Sequence, residues 1–380
     1  MTNPSEQPFK ILIAGGGVAG VEAALALRDM AGQRPEIVLL APRPDFVYRP
    51  LSVQEPFATA GAGRYPLDEV ARECNLELRR DGIGSLEPER RTLVTLAGES
   101  LEYDALLLAP GARAQPLLRH ALTIDDARLD EQLHGLIQDV EAGYTHKLAF
   151  IVPDGRGWPM PIYELALMTA RRAWEMNTQV SVTIVTPEPA PLSIFGEAVS
   201  DAVRRLLDEN GVLAVCGTSA QTPEPGQVAL GPGERVLHVE RVIALPELLG
   251  PSVPGVPSDD RGFIRIDSDC RVRGLERVWA AGDATDFPIK HGGLASQQAD
   301  AAAAAIAALA GAAVEPVTFA PVLQSVLLGG RRPLYLSARL SPDGPVESSA
   351  SDEPLWSDQP KIAARYLGPY LASRLGPTRS

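Results

Sequence analysis

Short, unbroken apolar runs recur along this chain, separated by stretches rich in helix formers. Ile11–Ala14, Ile37–Leu40, Ala105–Ala109, Lys147–Val152, Ser181–Val185 and Val212–Val215 each read as a strand, and a further one lies in RVWAAGDA at Arg277–Ala284. A strand that is apolar at every position, not at alternate ones, is buried on both faces, as in a parallel sheet between helix layers. Val18–Leu27, the segment from about Ile162, and Leu294–Ala310 carry helix-forming composition between these runs. Leu76–Leu78 and Leu93–Leu96 add two shorter strands. The alternation predicts an α/β fold containing two strand–helix–strand frames. After Gly311 the pattern changes. Val314–Gly330 and Pro333–Arg339 read as a helix and a strand, and Pro342–Asp358 as a Pro/Ser/acid-rich loop. Lys361–Leu375 reads as a helix with Ile362, Tyr366, Tyr370 and Leu371 on one side.

Composition narrows the function. The chain has 380 residues, enough for two or three domains, and 45% hydrophobic against 5% aromatic content fits α/β packing. A net charge of −13 repels nucleic acid and anionic membrane surfaces alike. No run of eighteen apolar residues is present, and MTNPSEQPFK lacks the basic and apolar regions of a secretory signal. The expectation is cytoplasmic placement, with peripheral attachment to the inner face of the membrane as the alternative. Cys74, Cys216 and Cys270 are too few and too scattered for a C-x-x-C couple. The five histidines form no metal-ligand cluster, so no metal is expected.

The chemistry is concentrated in KILIAGGGVAGVEAALALR, Lys10–Arg28. Gly15, Gly17 and Gly20 hold the G-x-G-x-x-G spacing between a strand and a helix, where side chains would block the turn, the approach of a pyrophosphate, and helix–strand packing in turn. The helix N-terminus then offers free N–H groups to phosphates. Far downstream, Gly282-Asp283 closes an apolar strand, from which an aspartate can reach a ribityl hydroxyl of a flavin lying across the strand ends. In the following PIKHGGLASQQ, Gly292-Gly293 lets backbone approach a ring, and a helix starting at Gly293 and Leu294 turns its positive end toward it.

Together these segments resemble the FAD-dependent pyridine nucleotide-disulfide oxidoreductase superfamily, in the branch of sulfide:quinone oxidoreductases, flavocytochrome c sulfide dehydrogenases and type II NADH dehydrogenases. The resemblance implies two Rossmann-like, three-layer dinucleotide-binding units and a C-terminal α+β tail. It divides the chain into an FAD-binding domain in two parts, 1–120 and 247–312, an NAD(P)-binding-like domain, 121–246, and a lid or interface region, 313–380. It implies FAD as cofactor, with Gly15, Gly17 and Gly20 at the pyrophosphate, Gly282 and Asp283 at the ribityl chain, and Arg49-Pro50 near the isoalloxazine. Gly111, after the strand that leads between domains, lies close to the cofactor in this reading. The acid that commonly ends the second strand is replaced by Ala41, leaving Arg43 or Asp45 as substitutes.

The second frame departs further. After KLAFIV the chain reads PDGRGWPMPIYELALMTA, which keeps Gly155 and Gly157 but loses the third glycine among Pro159, Pro161 and Ile162. The prolines suit a helix start but remove donors that a pyrophosphate would use. Within it, Glu164 is a candidate proton relay, or simply a first-turn glutamate favoured by the helix dipole. Lys290 and His291 border the flavin in this reading, as a potential-raising ammonium and a proton donor, or else form a solvated loop pair. Gln297-Gln298 partly resembles the quinone-site motif of type II NADH dehydrogenases. Trp158 stands where sulfide:quinone oxidoreductases carry a catalytic cysteine.

The expectation is an FAD enzyme that takes electrons from a small donor, NAD(P)H first, and delivers them to a quinone or other acceptor without a redox disulfide. Three alternatives stay open: an electron-transfer flavoprotein whose second unit docks a partner, sulfide oxidation, and a flavin oxidase of a specialised metabolite. A basic stretch over 361–375 could anchor at a membrane surface, but packing over the flavin or on a homodimer partner is the plainer use. Trp356 is a further candidate cap on that pocket.

Overall fold

A computed structural model describes residues 8–125, 128–155, 157–233, 235–356, 361 and 363–374. In chain order, the first unit contains β1 (Lys10–Ala14), α1 (Val18–Ala31), β2 (Glu36–Leu40), β3 (Glu77–Arg79) and β4 (Ala105–Leu108). The second contains α2 (Leu129–Glu141), β5 (Lys147–Ile151), α3 (Met160–Glu175), β6 (Ser181–Val185), β7 (Val212–Val215) and β8 (Arg241–Ala244). The chain then runs through β9 (Val278–Ala280) and α4 (Gly292–Leu309). It ends in β10 (Val322–Leu327), β11 (Leu334–Ser341), β12 (Gly344–Ser351) and α5 (Leu367–Ala372).

Two five-stranded parallel sheets organise these elements. The first has the order β9-β4-β1-β2-β3, so the late strand β9 closes a sheet begun at residue 10. The second runs from the short strand Leu122–Thr123 through β8, β5, β6 and β7. Each is Rossmann-like: a first strand, a glycine turn and a helix, with the strand-to-helix loops at the carboxyl ends of the strands. The central apolar strands are buried at nearly every position, as their composition requires; Ile11, Leu12, Ile13 and Ala14 have at most 2% exposure, whereas β7, at the edge of its sheet, leaves Leu213 58% exposed. Alanine dominates the contact between α1 and α4 because close helix approach needs small side chains; Ala23, Ala26, Ala299 and Ala303 have none of their surface exposed.

The tail differs from its sequence reading. Residues 313–321 contain no helix, since Pro316 and Pro321 hold their predecessors in extended conformations. Half of the expected loop at Pro342–Asp358 is strand, because a two-residue turn at Pro342-Asp343 folds β12 back on β11. Of the expected terminal helix only Leu367–Ala372 is helical, and Ile362 and Leu375 lie outside the described residues. Residues 363–366 form an irregular strap leading into α5. Leu367 and Leu371 of α5 are fully buried, so the apolar side of this segment faces the protein.

Two carboxyl groups fasten that strap. Glu22 on α1, fully buried, accepts the Tyr366 N–H at 2.9 Å and the Leu367 N–H at 2.6 Å. Asp300 on α4 hydrogen-bonds to Glu22, and burial together with the Glu22 charge pushes its carboxyl up to about 8. A carboxyl raised on folding holds a proton that the unfolded chain releases near its ordinary value of 3.8. Its effect is therefore to lower stability as pH rises from about 4 toward 8. Asp300→Asn keeps a donor toward Glu22 and cannot ionise. Denaturant midpoints across this window should fall less steeply with pH in the variant; parallel slopes would show that Asp300 does not hold the proton.

Candidate functional site

The first cradle follows from three glycines, two of which the packing fixes as glycine. Gly15 adopts φ +134, and a Cβ there would lie 2.0 Å from the Ala109 carbonyl oxygen. At Gly20, in the first turn of α1, a Cβ would lie 1.8 Å from the Gly15 carbonyl oxygen. These two positions pack the turn against β4 and the helix against the turn. Gly17, the N-cap of α1, is different: a Cβ there meets nothing within 4 Å. Packing alone leaves Gly17 free to vary, and the open space above it at a helix N-terminus fits a dinucleotide pyrophosphate. Gly111 also takes positive φ, +75, with open space around it at the end of the neighbouring β4.

The returning segment completes this edge. Gly282, φ +79, opens a short turn Gly282–Ala284 directly after β9, and its N–H donates to Gln298 Oε1 at 2.8 Å. Asp283 sits in that turn beside the cradle strands, where the resemblance places a ribityl contact. α4 starts at Gly292, two residues earlier than its sequence reading, so Gly293 and Leu294 lie inside its first turn and His291 is its N-cap. Lys290 is no solvated loop residue. It is 4% exposed, donates to the Thr285 carbonyl and stands 4.0 Å from the centre of the Phe263 ring. The two glutamines are also engaged by protein: Gln297 exchanges two hydrogen bonds with the Val322 backbone, and Gln298 holds the Gly282 turn.

A second group of polar side chains meets between the units. Glu164 in α3 is 1% exposed. Its Oε2 accepts from Lys361 Nζ at 2.6 Å, and its Oε1 accepts the Leu328 N–H at 3.0 Å. Lys361 Nζ also donates to the Pro50 carbonyl at 2.7 Å. Burial pushes the Glu164 carboxyl above the ordinary range, while Lys361 and the Leu328 N–H pull it back. His291 is 4% exposed, and neither ring nitrogen has a hydrogen-bond partner. Burial, with the Lys361 charge adding to it, holds its pKa down at about 3, so the imidazole is neutral. It packs against Trp158 with ring centres 4.6 Å apart. The structure thus brings together Pro50, Glu164 and His291 from the sequence reading. It directs Arg49 elsewhere: with Arg43, Arg64 and Asp45 it lines an outer cleft of about 320 Å³.

A family model described as pyridine nucleotide-disulphide oxidoreductase matches residues 9–149 and 163–307, most of both units. This chain belongs to that family. Among similar proteins, the sulfide-quinone reductase of Aquifex aeolicus is 24% identical over 66% of this chain, and the match spans 61% of its own length. An NADH dehydrogenase-like protein of Mycobacterium tuberculosis is 26% identical over 72% of each chain. The solved sulfide:quinone oxidoreductase of Aquifex aeolicus has a TM-score of 0.79, covering 90% of this chain and 87% of its own, at 19% identity. A ferredoxin reductase from Rhodopseudomonas palustris has a TM-score of 0.66 at 19% identity, covering 87% and 83%. The fold is shared with both solved structures.

All three cysteines of the chain are free thiols. Cys74 and Cys270 are buried, and the packing around them raises both thiols above their ordinary range. Trp158 occupies the place before Tyr163-Glu164 where the resemblance expects a cysteine. Trp356 packs edge-on to Tyr335 of β11, at 5.5 Å between ring centres, and so belongs to the tail. Sequence reasoning missed Lys361, Glu22 and Asp300. One signal was available for Lys361: the chain has only four lysines, Lys10, Lys147, Lys290 and Lys361, beside 31 arginines. A lysine kept in so arginine-rich a chain marks a place for a compact ammonium.

Proposed function

We propose that this protein is an FAD-dependent oxidoreductase that takes electrons from a small donor and passes them to a quinone or another acceptor, without a redox disulfide. The open space over Gly17, inside a cradle otherwise closed to side chains, carries the reading. FAD supplies two-electron chemistry at N5 when bound. The chain's own contribution begins with the N-terminus of α1, whose free N–H groups and dipole favour the pyrophosphate. Gly282 and Asp283 face the same strand ends and are assigned to the ribityl chain. Lys290 fixes their turn from behind through the Thr285 carbonyl.

Glu164 and Lys361 provide a buried carboxylate and ammonium in contact, able to hold or release a proton beside the acceptor without exposing it to bulk water. His291 stays neutral and offers one donor and one acceptor to whatever group enters next to it. Three separated thiols leave electron transfer to the cofactor alone. No described helix is long and apolar enough to cross a membrane. Attachment through 361–375 is disfavoured by the inward burial of α5, and cytoplasmic placement remains the reading.

Purified protein should be yellow. After reduction by dithionite without oxygen, its flavin spectrum should return faster on mixing with a short-chain quinone than with air-saturated buffer. If no quinone outpaces oxygen, the acceptor assignment fails; if the protein stays colourless after incubation with FAD, the whole reading fails. An electron-transfer flavoprotein docking a partner through its second unit is the second reading, favoured by the way that unit is filled.

A further inference from the structure

We infer that the second unit of this chain does not accept a nicotinamide dinucleotide, and that its electron donor is a small reductant other than NAD(P)H. The donor half of this inference rests on the flavin reading above; the binding half does not. The chain itself supplies the contrast, since it contains both a complete glycine turn and its altered copy.

Gly155 after β5 has φ +133, matching Gly15 after β1 at φ +134, so the two turns begin alike. They then diverge. In the first unit α1 starts one residue after Gly17, and Gly20 in its first turn lets the helix press against the Gly15 carbonyl. In the second unit α3 starts three residues after Gly157. Counted from Gly155, the third glycine position is Met160; counted from the start of the helix, it is Ile162. Both are apolar side chains with no exposure. A dinucleotide fold needs a bare backbone there for close helix–turn packing, and this helix is held off by a side chain on either count.

The anion-binding character of the helix start is also spent. Pro159 and Pro161 have no N–H, and the Ile162 N–H donates to the Pro159 carbonyl. Met160 Sδ accepts the Ser325 hydroxyl of β10 at 3.2 Å, and Glu164 accepts the Leu328 N–H just beyond it. The C-terminal sheet is therefore docked on the first turn of α3. The guanidinium beside Gly155, that of Arg261, is held by Glu247 at 2.6 Å.

The adenosine half fares no better. The residue directly after β6, where an acid would take the ribose hydroxyls, is Thr186, fully buried. The nearby Glu188 turns inward, accepting the Tyr163 hydroxyl at 2.8 Å and the Thr186 hydroxyl at 2.9 Å on one oxygen. Its other oxygen is buried without a partner. Across the crevice, Trp158 from the loop after β5 meets Phe195 from the loop after β6, ring centres 5.8 Å apart, and also His291, ring centres 4.6 Å apart. The crevice that would receive a dinucleotide is closed by aromatic side chains from both of its walls.

The test is calorimetric titration of FAD-saturated protein with NAD⁺, NADH and NADPH, paired with thermal midpoints. The expected result is no saturable heat up to millimolar nucleotide and no shift in midpoint, since a ligand that binds the folded state must raise it. NADH and NADPH should leave the flavin oxidised under anaerobic conditions while dithionite bleaches it at once. Saturable micromolar binding of any of the three nucleotides, or bleaching by stoichiometric NAD(P)H, overturns the inference. Colour and dithionite bleaching report separately on the flavin reading. If the protein stays colourless, the titration is repeated with Gly17→Val, whose Cβ enters the open space of the first cradle; saturable binding there still overturns the inference, and its absence supports it.

Discussion

Gly17→Val is expected to fold like the unaltered protein and to purify without flavin. The two halves of this outcome come from different atoms. A Cβ at Gly17 would meet no protein atom within 4 Å beyond its chain neighbours, and the residue's φ of −88 is open to any amino acid. The apoprotein's circular dichroism and denaturant midpoint should therefore match those of wild-type apoprotein. The branched side chain instead fills the space over the α1 N-terminus, where the proposed pyrophosphate needs direct access to backbone N–H groups. Gly20→Val supplies the contrast. Its Cβ would lie 1.8 Å from a carbonyl oxygen, so this variant should lose stability as well as colour. Absorbance near the flavin band and unfolding curves on the same three preparations decide the matter. A yellow Gly17→Val protein would place the cofactor's phosphates somewhere other than over this glycine.

The difference between these two glycines also shows what the sequence could and could not disclose. The strand–glycine–helix pattern was legible because packing and phosphate binding both leave marks at fixed spacing, and the apolar strands had to be buried on both faces. The altered second loop was legible as a loss of glycine. Its replacement by aromatic contacts was not, because Phe195 and His291 reach Trp158 from positions 37 and 133 residues away in the chain. The tail was read least well. Its prolines and the Pro342-Asp343 turn set the local conformation, and of the helical spacing that had marked 361–375 only Leu367–Ala372 is helix. Glu22 was hidden for a further reason: it sits two residues past the glycine motif, on a helix where a polar residue ordinarily faces solvent. Here it is covered by the strap whose N–H groups it accepts.

Lys361→Met should damage the protein more than the double variant Lys361→Met/Glu164→Gln. The ammonium is 7% exposed and the carboxylate 1%, so neither can fall back on water when its partner is removed. Breaking a buried pair by deleting one charge costs about 3–5 kcal/mol, whereas replacing both by neutral groups of similar size is often close to neutral. In the single variant Glu164 keeps only the Leu328 N–H, and burial then drives its carboxyl to take up a proton. Sign follows from that shift: a carboxyl whose folded pKa is raised lowers stability as pH climbs from its unfolded value toward the folded one. The Lys361→Met penalty should therefore grow with pH through the range above the ordinary carboxylate value, and Glu164→Gln should abolish that growth. Function supplies a second readout. If this pair holds the proton that accompanies reduction of the acceptor, Glu164→Gln will slow reoxidation by quinone and flatten its pH dependence, while reduction by dithionite stays fast. A double-mutant cycle with no coupling in either stability or the pH profile would reduce the contact to packing, with proton delivery assigned to another group.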